Sequence, residues 1–83
     1  MSIQVKLLYF GQARDASGVR EEKLSFPDGA SVWDLVNKVS ASHEGIELIR
    51  GILKVAVNEE IAELAQLLHD GDDIALLPPV AGG

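Results

Sequence analysis

The sequence of 83 residues contains no cysteine. Disulfide bonds, thiolate metal ligands and a cysteine nucleophile are therefore excluded, and the fold must rest on its apolar core alone. A domain near this length buries only about 60% of the surface that its unfolded chain would expose. The length predicts one small domain whose stability depends on that core.

Positive charge is also scarce, with seven Lys and Arg against thirteen Asp and Glu and a net charge of -6. Nucleic acids and anionic membranes attract clustered Lys and Arg, so we expect no nucleic-acid partner and no membrane partner. No apolar run approaches the roughly 18 residues that span a bilayer, and residues 1–6 lack the basic and then apolar layout of a signal peptide. The sequence thus predicts a cytoplasmic protein.

Four segments have the pattern of strands. The first, residues 3–10, alternates for four positions and then becomes apolar on both faces. As a strand, it places Ile3, Val5 and Leu7 on one face and Leu8 and Phe10 on the other. Turn formers and β-branched residues predict the other three strands at 23–26, 51–58 and 73–77. The polar segment 11–18 between two glycines is predicted to be a loop, which makes the first two strands a hairpin.

One amphipathic helix is predicted after the turn at Pro27-Asp28-Gly29. Ser31 and Asp34 have the spacing of a capping box, and the apolar positions that follow repeat at helical spacing: Val32, Leu35, Val36 and Val39. We expect the helix to end between residues 40 and 45, with 46–50 as a second helical turn or a connector.

Residues 59–68 leave two interpretations open, a helix by propensity or a tight connection with a short edge strand near 61–63. Either way, the order of elements predicts an α+β domain with one main helix packed across a mixed sheet. The first and last strands are expected to pair in parallel at the centre of that sheet. The last strand then puts Ile74 and Leu76 inward and Ala75 and Leu77 outward.

The chain ends in a segment without charge. Residues 74–83 carry no ionisable side chain, and the final six are Pro78-Pro79-Val80-Ala81-Gly82-Gly83. Two prolines and four small residues make a narrow strip that reaches roughly 20 Å at about 3.3 Å per residue. Such a strip suits insertion of a terminal carboxylate into a tunnel of another protein, whereas the alternative is an inert frayed end. We therefore divide the chain into a body, residues 1–77, and a tail, residues 78–83.

The apolar side chains on the outer side of the sheet also indicate a partner. Leu8, Phe10 and Leu77 would lie together beside the tail, and exposed apolar patches usually mark interfaces. The alternative is that a loop, or the segment around Ile61, folds over them. No metal site is predicted, because Asp70, Asp72 and Asp73 do not have the spacing of a calcium loop and fit an ordinary turn.

Three segments resemble one known family. These are residues 8–15 (LYFGQARD), 55–58 (VAVN) and 68–83 (LHDGDDIALLPPVAGG), and they resemble the small subunits of molybdopterin synthase, ubiquitin-like sulfur carriers of molybdenum cofactor biosynthesis. The resemblance runs from the first strand to the last residue. It implies a ubiquitin-like β-grasp fold.

The resemblance also implies a reaction cycle at the C-terminus. Gly83 would be adenylated by an E1-like enzyme that uses ATP, converted to a thiocarboxylate by a sulfur donor enzyme, and would then pass sulfur to a cyclic pterin precursor in the large synthase subunit. The family synthase is a heterotetramer of two small and two large subunits. By this resemblance the chain itself binds no cofactor and supplies no acid, base or metal ligand.

The same resemblance implies roles for individual residues. Gly82 and residues 78–81 (Pro78, Pro79, Val80 and Ala81) would enter the partners, and Ile61 would join Leu8, Phe10 and Leu77 in the interface. Arg14 also matches the family and can pair with a carboxylate or phosphate, although a solvated loop arginine is the alternative. Other functions stay open: a carrier for another pathway of the thiamine type, a ubiquitin-like protein modifier, or a plain interaction module.

Overall fold

The structure, a computed structural model, describes residues 1–79. It contains five strands and three α-helices: β1 (Ser2–Tyr9), α1 (Gly11–Ser17), β2 (Glu21–Pro27), α2 (Val32–Ser42), α3 (Glu44–Ile49), β3 (Lys54–Val57), β4 (Glu60–Ile61) and β5 (Asp73–Leu77). A short 3-10 helix, Arg50–Ile52, joins α3 to β3. The predictions for Val80, Ala81, Gly82 and Gly83 lie outside the described residues.

The strands form one mixed sheet in the order β2-β1-β5-β3-β4. β1 pairs antiparallel with β2 and parallel with β5, with Tyr9 opposite Leu76. β5 is thus central, flanked by β1 on one side and by antiparallel β3 on the other. The predicted hairpin and the predicted parallel pairing of the first and last strands are both confirmed.

The main helix α2 begins where the capping box predicts. The Ser31 hydroxyl accepts a hydrogen bond from the Asp34 N–H at 3.3 Å, and the Asp34 carboxylate accepts one from the Ser31 N–H at 2.8 Å. These bonds satisfy backbone donors that a helix start leaves free, and the carboxylate lies at the positive end of the helix dipole. The helix ends at Ser42, within the predicted range.

The core lies between α2 and the inner face of the sheet. The inward residues of β1 and β5 and the apolar stripe of α2 meet there, and the largest fully buried side chains are Leu7, Leu35, Ile46, Ile74, Leu76, Val5, Val32 and Val39. The predicted inward direction of Ile74 and Leu76 is confirmed. This one-helix-over-sheet architecture is the β-grasp fold that the resemblance implies.

The loop predicted at residues 11–18 is wrong, since the segment contains helix α1. Ala13 is fully buried in the core, and Gly18 ends the helix in the left-handed conformation, with its N–H bonded to the Arg14 carbonyl. A seven-residue helix is too short to be stable by itself in water. It is held by tertiary packing on α3, which sequence periodicity does not reveal.

Residues 59–68 contain the edge strand and no helix. A turn at Asn58 and Glu59, both with positive φ, leads into β4 beside β3. The chain then returns to the start of α2, where the Trp33 N–H donates to the Leu64 carbonyl at 2.9 Å. Within residues 1–79, the structure has no helix long and apolar enough to cross a membrane.

Candidate functional site

A row of apolar residues crosses the side of the sheet opposite α2, which we call the outer face. The strand registers place Leu8 opposite Ala75, Ala75 opposite Ala56, and Ala56 opposite Ile61. Directly paired residues of neighbouring strands project to the same face, so these four side chains form one continuous line. Ile61 therefore extends the row to the edge of the sheet and does not fold over Leu8.

The outer face is exposed at Ile61, at one end of this row, and at Phe10, beyond the other end. Phe10 keeps 45% of its surface exposed and Ile61 65%, while Leu8 and Leu77 are half-buried. Between Phe10 and the Asn58 turn lies a groove of about 420 Å³. The side chains on its floor are small, because Ala56 and Ala75 occupy the middle of the row.

Charged side chains border the groove on one side. Lys6, Glu59 and Asp73 line it together with the apolar residues. Lys6 also lies 3.6 Å from the Glu21 carboxylate, an exposed pair that contributes little to stability. The groove therefore has an apolar floor and a polar rim, which is the composition of protein interfaces.

The tail leaves the body beside Phe10. The Phe10 N–H donates to the Leu76 carbonyl at 3.2 Å, and Leu77 is paired with Lys54 on the opposite side of β5. Pro78, the first residue beyond the strand, is half-buried, and Pro79 is exposed. The central strand thus ends within the outer-face region, and the sheet ladder fixes the point from which the tail departs.

Arg14 lies on α1 and is exposed. With Phe10, Arg20 and Glu21 it lines a second hollow of about 310 Å³ next to the outer face. Within residues 1–79, neither Arg14 nor Arg20 forms an ion pair. The structure places Arg14 close to the apolar groove, and its role in binding stays a prediction.

The acidic turn at residues 70–73 is engaged in backbone contacts. The Asp70 carboxylate accepts from the Gln4 N–H at 2.8 Å, and buried Asp72 accepts from the His69 N–H at 2.8 Å and from Asn58 Nδ2 at 2.9 Å. Such bonds hold the turn before β5. In the part of the chain that the structure describes, no group of three or more His, Asp or Glu side chains is arranged to hold a metal ion.

A partly buried polar cluster lies on the inner side of the sheet. The Tyr9 hydroxyl donates to the Glu22 carboxylate, whose other oxygen lies 3.2 Å from His43 Nε2. Burial raises the pKa of Tyr9 well above its usual value, and the hydrogen bond and negative charge of Glu22 act in the same direction. The cluster ties β1 and β2 to the junction of α2 and α3 and faces away from the outer face.

The fold defines the class: a ubiquitin-like β-grasp protein whose last strand is central and leads directly into the tail. The sequence profile of the ThiS family matches residues 7–83. The chain belongs to the ThiS family.

Individual relatives agree with this assignment. The molybdopterin synthase sulfur carrier subunit of Chlamydomonas reinhardtii is 34% identical over 83 residues, which cover 98% of this chain and 100% of the relative. Small archaeal modifier protein 1 from Methanosarcina acetivorans superposes with a TM-score of 0.84 at 26% identity, covering 100% of this chain and 99% of that one.

A third relative has been solved together with a partner. It belongs to the complex of subunits 1 and 2 of molybdopterin-converting factor from Helicobacter pylori, and matches with a TM-score of 0.71 at 27% identity over 98% of this chain and 100% of that one. The resemblance recognised in the sequence is therefore confirmed.

Two residues near the site were not identified from the sequence. Ala56 joins the outer-face row only through the register of β3 with β5, and alanine in a strand carries no signal of its own. Gly11 lies against Pro78, a contact that depends on the unexpected helix α1. Both depend on tertiary pairing, which the sequence pattern alone does not specify.

Proposed function

We propose that this chain is the sulfur carrier subunit of a molybdopterin synthase. The single observation that supports this most directly is the central strand β5, which ends beside the apolar outer face and continues into Pro-Pro and a Gly-Gly terminus. Membership of the ThiS family and the curated relative named as such a carrier support the same function.

In this proposal the body docks and the tail reacts. Residues 1–77 bind the partners through the outer face, with Leu8, Phe10, Ile61 and Leu77 in contact and Arg14 at the margin. Residues 78–82 enter the partner's active site, and the carboxylate of Gly83 is the reacting group. The partners are a large synthase subunit, an E1-like adenylating enzyme and a sulfur donor enzyme, and the location is cytoplasmic.

The carboxylate needs activation because it is anionic near neutral pH and a poor electrophile. Adenylation by ATP forms an acyl–phosphate bond at Gly83 and releases pyrophosphate. A persulfide on the donor enzyme then attacks the acyl carbon and displaces AMP, which gives an acyl disulfide. A thiol reduces the S–S bond of this acyl disulfide, leaving the thiocarboxylate on Gly83 and a disulfide on the donor side. The thiocarboxylate sulfur then attacks a carbon of the pterin precursor, from which an oxygen group departs, and forms a C–S bond. Water cleaves the acyl C–S bond of this intermediate, which leaves the sulfur on the pterin and returns the carboxylate for the next cycle. The chain supplies the substrate group, and its partners supply the catalytic groups.

A second candidate function is supported by a specific observation. The archaeal neighbour with a TM-score of 0.84 is named a modifier protein. Attack on the same adenylate or a derived thioester by a lysine amine, in place of sulfur, would give an isopeptide bond. The outer face and tail serve either function, since both begin with the same activation.

Intact mass spectrometry separates these functions. The chain is incubated with its adenylating enzyme, ATP and a sulfur source. A mass increase equal to exchange of one oxygen for one sulfur, located at Gly83, is expected for a carrier, whereas attachment to protein lysines indicates a modifier. An unchanged mass with a demonstrably active enzyme would contradict both.

A deletion variant tests the pathway in cells. Removing Gly82 and Gly83 leaves the described body untouched, so circular dichroism should show a folded protein, while molybdoenzyme activity is lost. The matched control is Gly51→Ala, which alters a glycine remote from the tail. Survival of molybdoenzyme activity in the deletion strain would rule out the carrier function.

A further inference from the structure

Glu59 has a backbone conformation that its side chain disfavours. Asn58 and Glu59 form the two-residue loop between β3 and β4, and their φ angles are 50° and 73°. Two positive φ angles are typical of the type I′ hairpin turn, in which asparagine followed by glycine is a preferred pair. Asparagine adopts this conformation readily, whereas a longer side chain does so at a cost. Glycine is therefore the residue that the turn itself favours at position 59.

The bonds that hold this turn are made by Asn58. Its N–H donates to the Asp73 carbonyl at 2.7 Å, and its side-chain oxygen accepts from the Asp73 N–H at 3.0 Å. Its side-chain nitrogen donates to the Asp72 carboxylate at 2.9 Å. Among residues 1–79, Glu59 forms no ion pair that would offset the cost of its conformation.

The side chain of Glu59 is exposed and lines the groove of the outer face. Lys6 and Asp73 line the groove too, but they lie opposite each other on β1 and β5, so their opposite charges compensate locally. Lys6 is also 3.6 Å from the Glu21 carboxylate. The charge of Glu59 is thus the one at this rim that has no opposite charge facing it within the described residues.

We infer that Glu59 is a specificity-determining residue of the outer face, which selects a partner that has a Lys or Arg side chain beside the apolar contact. The inference rests on the proposed function, in which the outer face docks to a large synthase subunit. Residues held in sparsely populated backbone conformations concentrate at functional sites. A charge at the rim of an interface guides the encounter and favours the partner of opposite charge. Glu59 therefore adds a preference for one charge to a contact that is otherwise apolar.

The test measures binding to the large synthase subunit of the same organism by surface plasmon resonance. The salt concentrations are about 0.01 M and about 1 M, where the Debye length is about 30 Å and about 3 Å. Glu59→Gln removes the charge and keeps the length of the side chain, whereas Glu59→Gly also removes the backbone cost. The control is Glu44→Gln, which makes the same change in net charge at an exposed position of α3, on the inner side of the sheet.

The charge should act mainly on association. We expect the association rate constant of Glu59→Gln to fall about threefold at about 0.01 M salt and to equal that of the wild type at about 1 M, while the dissociation rate constant changes by less than about 1.5-fold. Glu44→Gln should change neither constant by more than about 1.5-fold. Glu59→Gly should lose the same factor in association, although its urea midpoint should rise by about 0.5 M because the left-handed conformation no longer carries a side chain.

The outcomes distinguish this inference from the proposed function. If the wild-type protein does not bind the large subunit, the proposed function fails and the role of Glu59 fails with it. If the wild type binds and Glu59→Gln associates as fast as Glu44→Gln at low salt, or if the loss is equally large at high salt, the role of Glu59 alone is refuted. It is also refuted if Glu59→Gly associates as fast as the wild type. A Glu59→Gly protein no more stable than the wild type would overturn the premise that the turn disfavours glutamate, and the inference with it.

Discussion

Replacing Gly45 by alanine should destabilise the protein, although alanine is the better helix former. Gly45 lies in α3 where that helix crosses α1, and a Cβ built there would lie 3.0 Å from the carbonyl carbon and 3.1 Å from the Cα of Ala16, with the Ala16 oxygen closer still. All three are backbone atoms, so no side-chain rotation relieves the contact. The two helices must move apart for the methyl group to fit.

Two opposing effects, helix propensity and overpacking, determine whether Gly45→Ala raises or lowers the free energy of unfolding. Alanine in place of glycine inside a helix is favourable by about 0.5–1 kcal/mol. Overpacking a close contact costs about 1–3 kcal/mol, and a rigid backbone neighbour favours the upper part of that range. We expect a net loss of about 1–2 kcal/mol in the free energy of unfolding, which for a domain of this size lowers Tm by about 4–8 °C for each kcal/mol.

Urea unfolding monitored by circular dichroism measures this loss. With an unchanged slope of about 1 kcal/mol/M, the midpoint should fall by about 1–2 M. The control is Gly51→Ala, where a Cβ meets nothing within 4 Å and φ is not positive, so its midpoint should be unchanged or slightly higher. A Gly45→Ala protein as stable as wild type would show that α1 and α3 do not pack as closely as described.

Three further outcomes are expected. Because the pKa of Tyr9 is raised, the unfolded chain alone ionises above about pH 10 and stability falls as pH rises beyond that value. The absorbance of this sole tyrosine should therefore change together with unfolding, and Tyr9→Phe should remove that part of the pH slope. Phe10→Ala should weaken binding to a large synthase subunit by at least about fivefold in calorimetry, whereas Leu48→Ala, at an 80% exposed position on α3, should not; equal losses would argue against the outer face. Asp72→Ala leaves the Asn58 amide and the His69 N–H without their acceptor and should lower the free energy of unfolding by about 1–3 kcal/mol, and an unchanged urea midpoint would contradict this.

Local patterns predicted the elements with strong sequence signals. The Ser31 and Asp34 capping box located the start of α2, and the alternation in the first half of β1 separated the core residues from those of the outer face. The inward side of β5 followed from that of β1, because residues paired across neighbouring strands point to the same face of the sheet. These features depend on residues within a few positions of each other, which is the range over which sequence periodicity is informative.

Elements stabilised by distant contacts were not predictable in the same way. Helix α1 shows one fully buried side chain, Ala13, and two glycine boundaries that are equally typical of a loop. Strand β4 has two residues, too few to show any period, and its place is set by pairing with β3. Leu8, Ala75 and Leu77 were assigned to the correct side of the sheet, but the binding role of the outer face stays a prediction, as do the roles of Gly82 and Gly83.

The central position of β5 has a consequence for incomplete chains. A chain interrupted before Leu77 lacks all or part of the strand that joins β1 to β3, so both would face a gap and the core residues Ile74 or Leu76 would be missing or unsupported. The sheet closes only when nearly all of the sequence has been synthesised, since its key pairing is the most distant one along the chain. Fragments that stop short of β5 therefore lack a folded outer face. Under the proposed function, such fragments would not compete for an activating enzyme, because the sheet through which the chain would dock cannot form without β5.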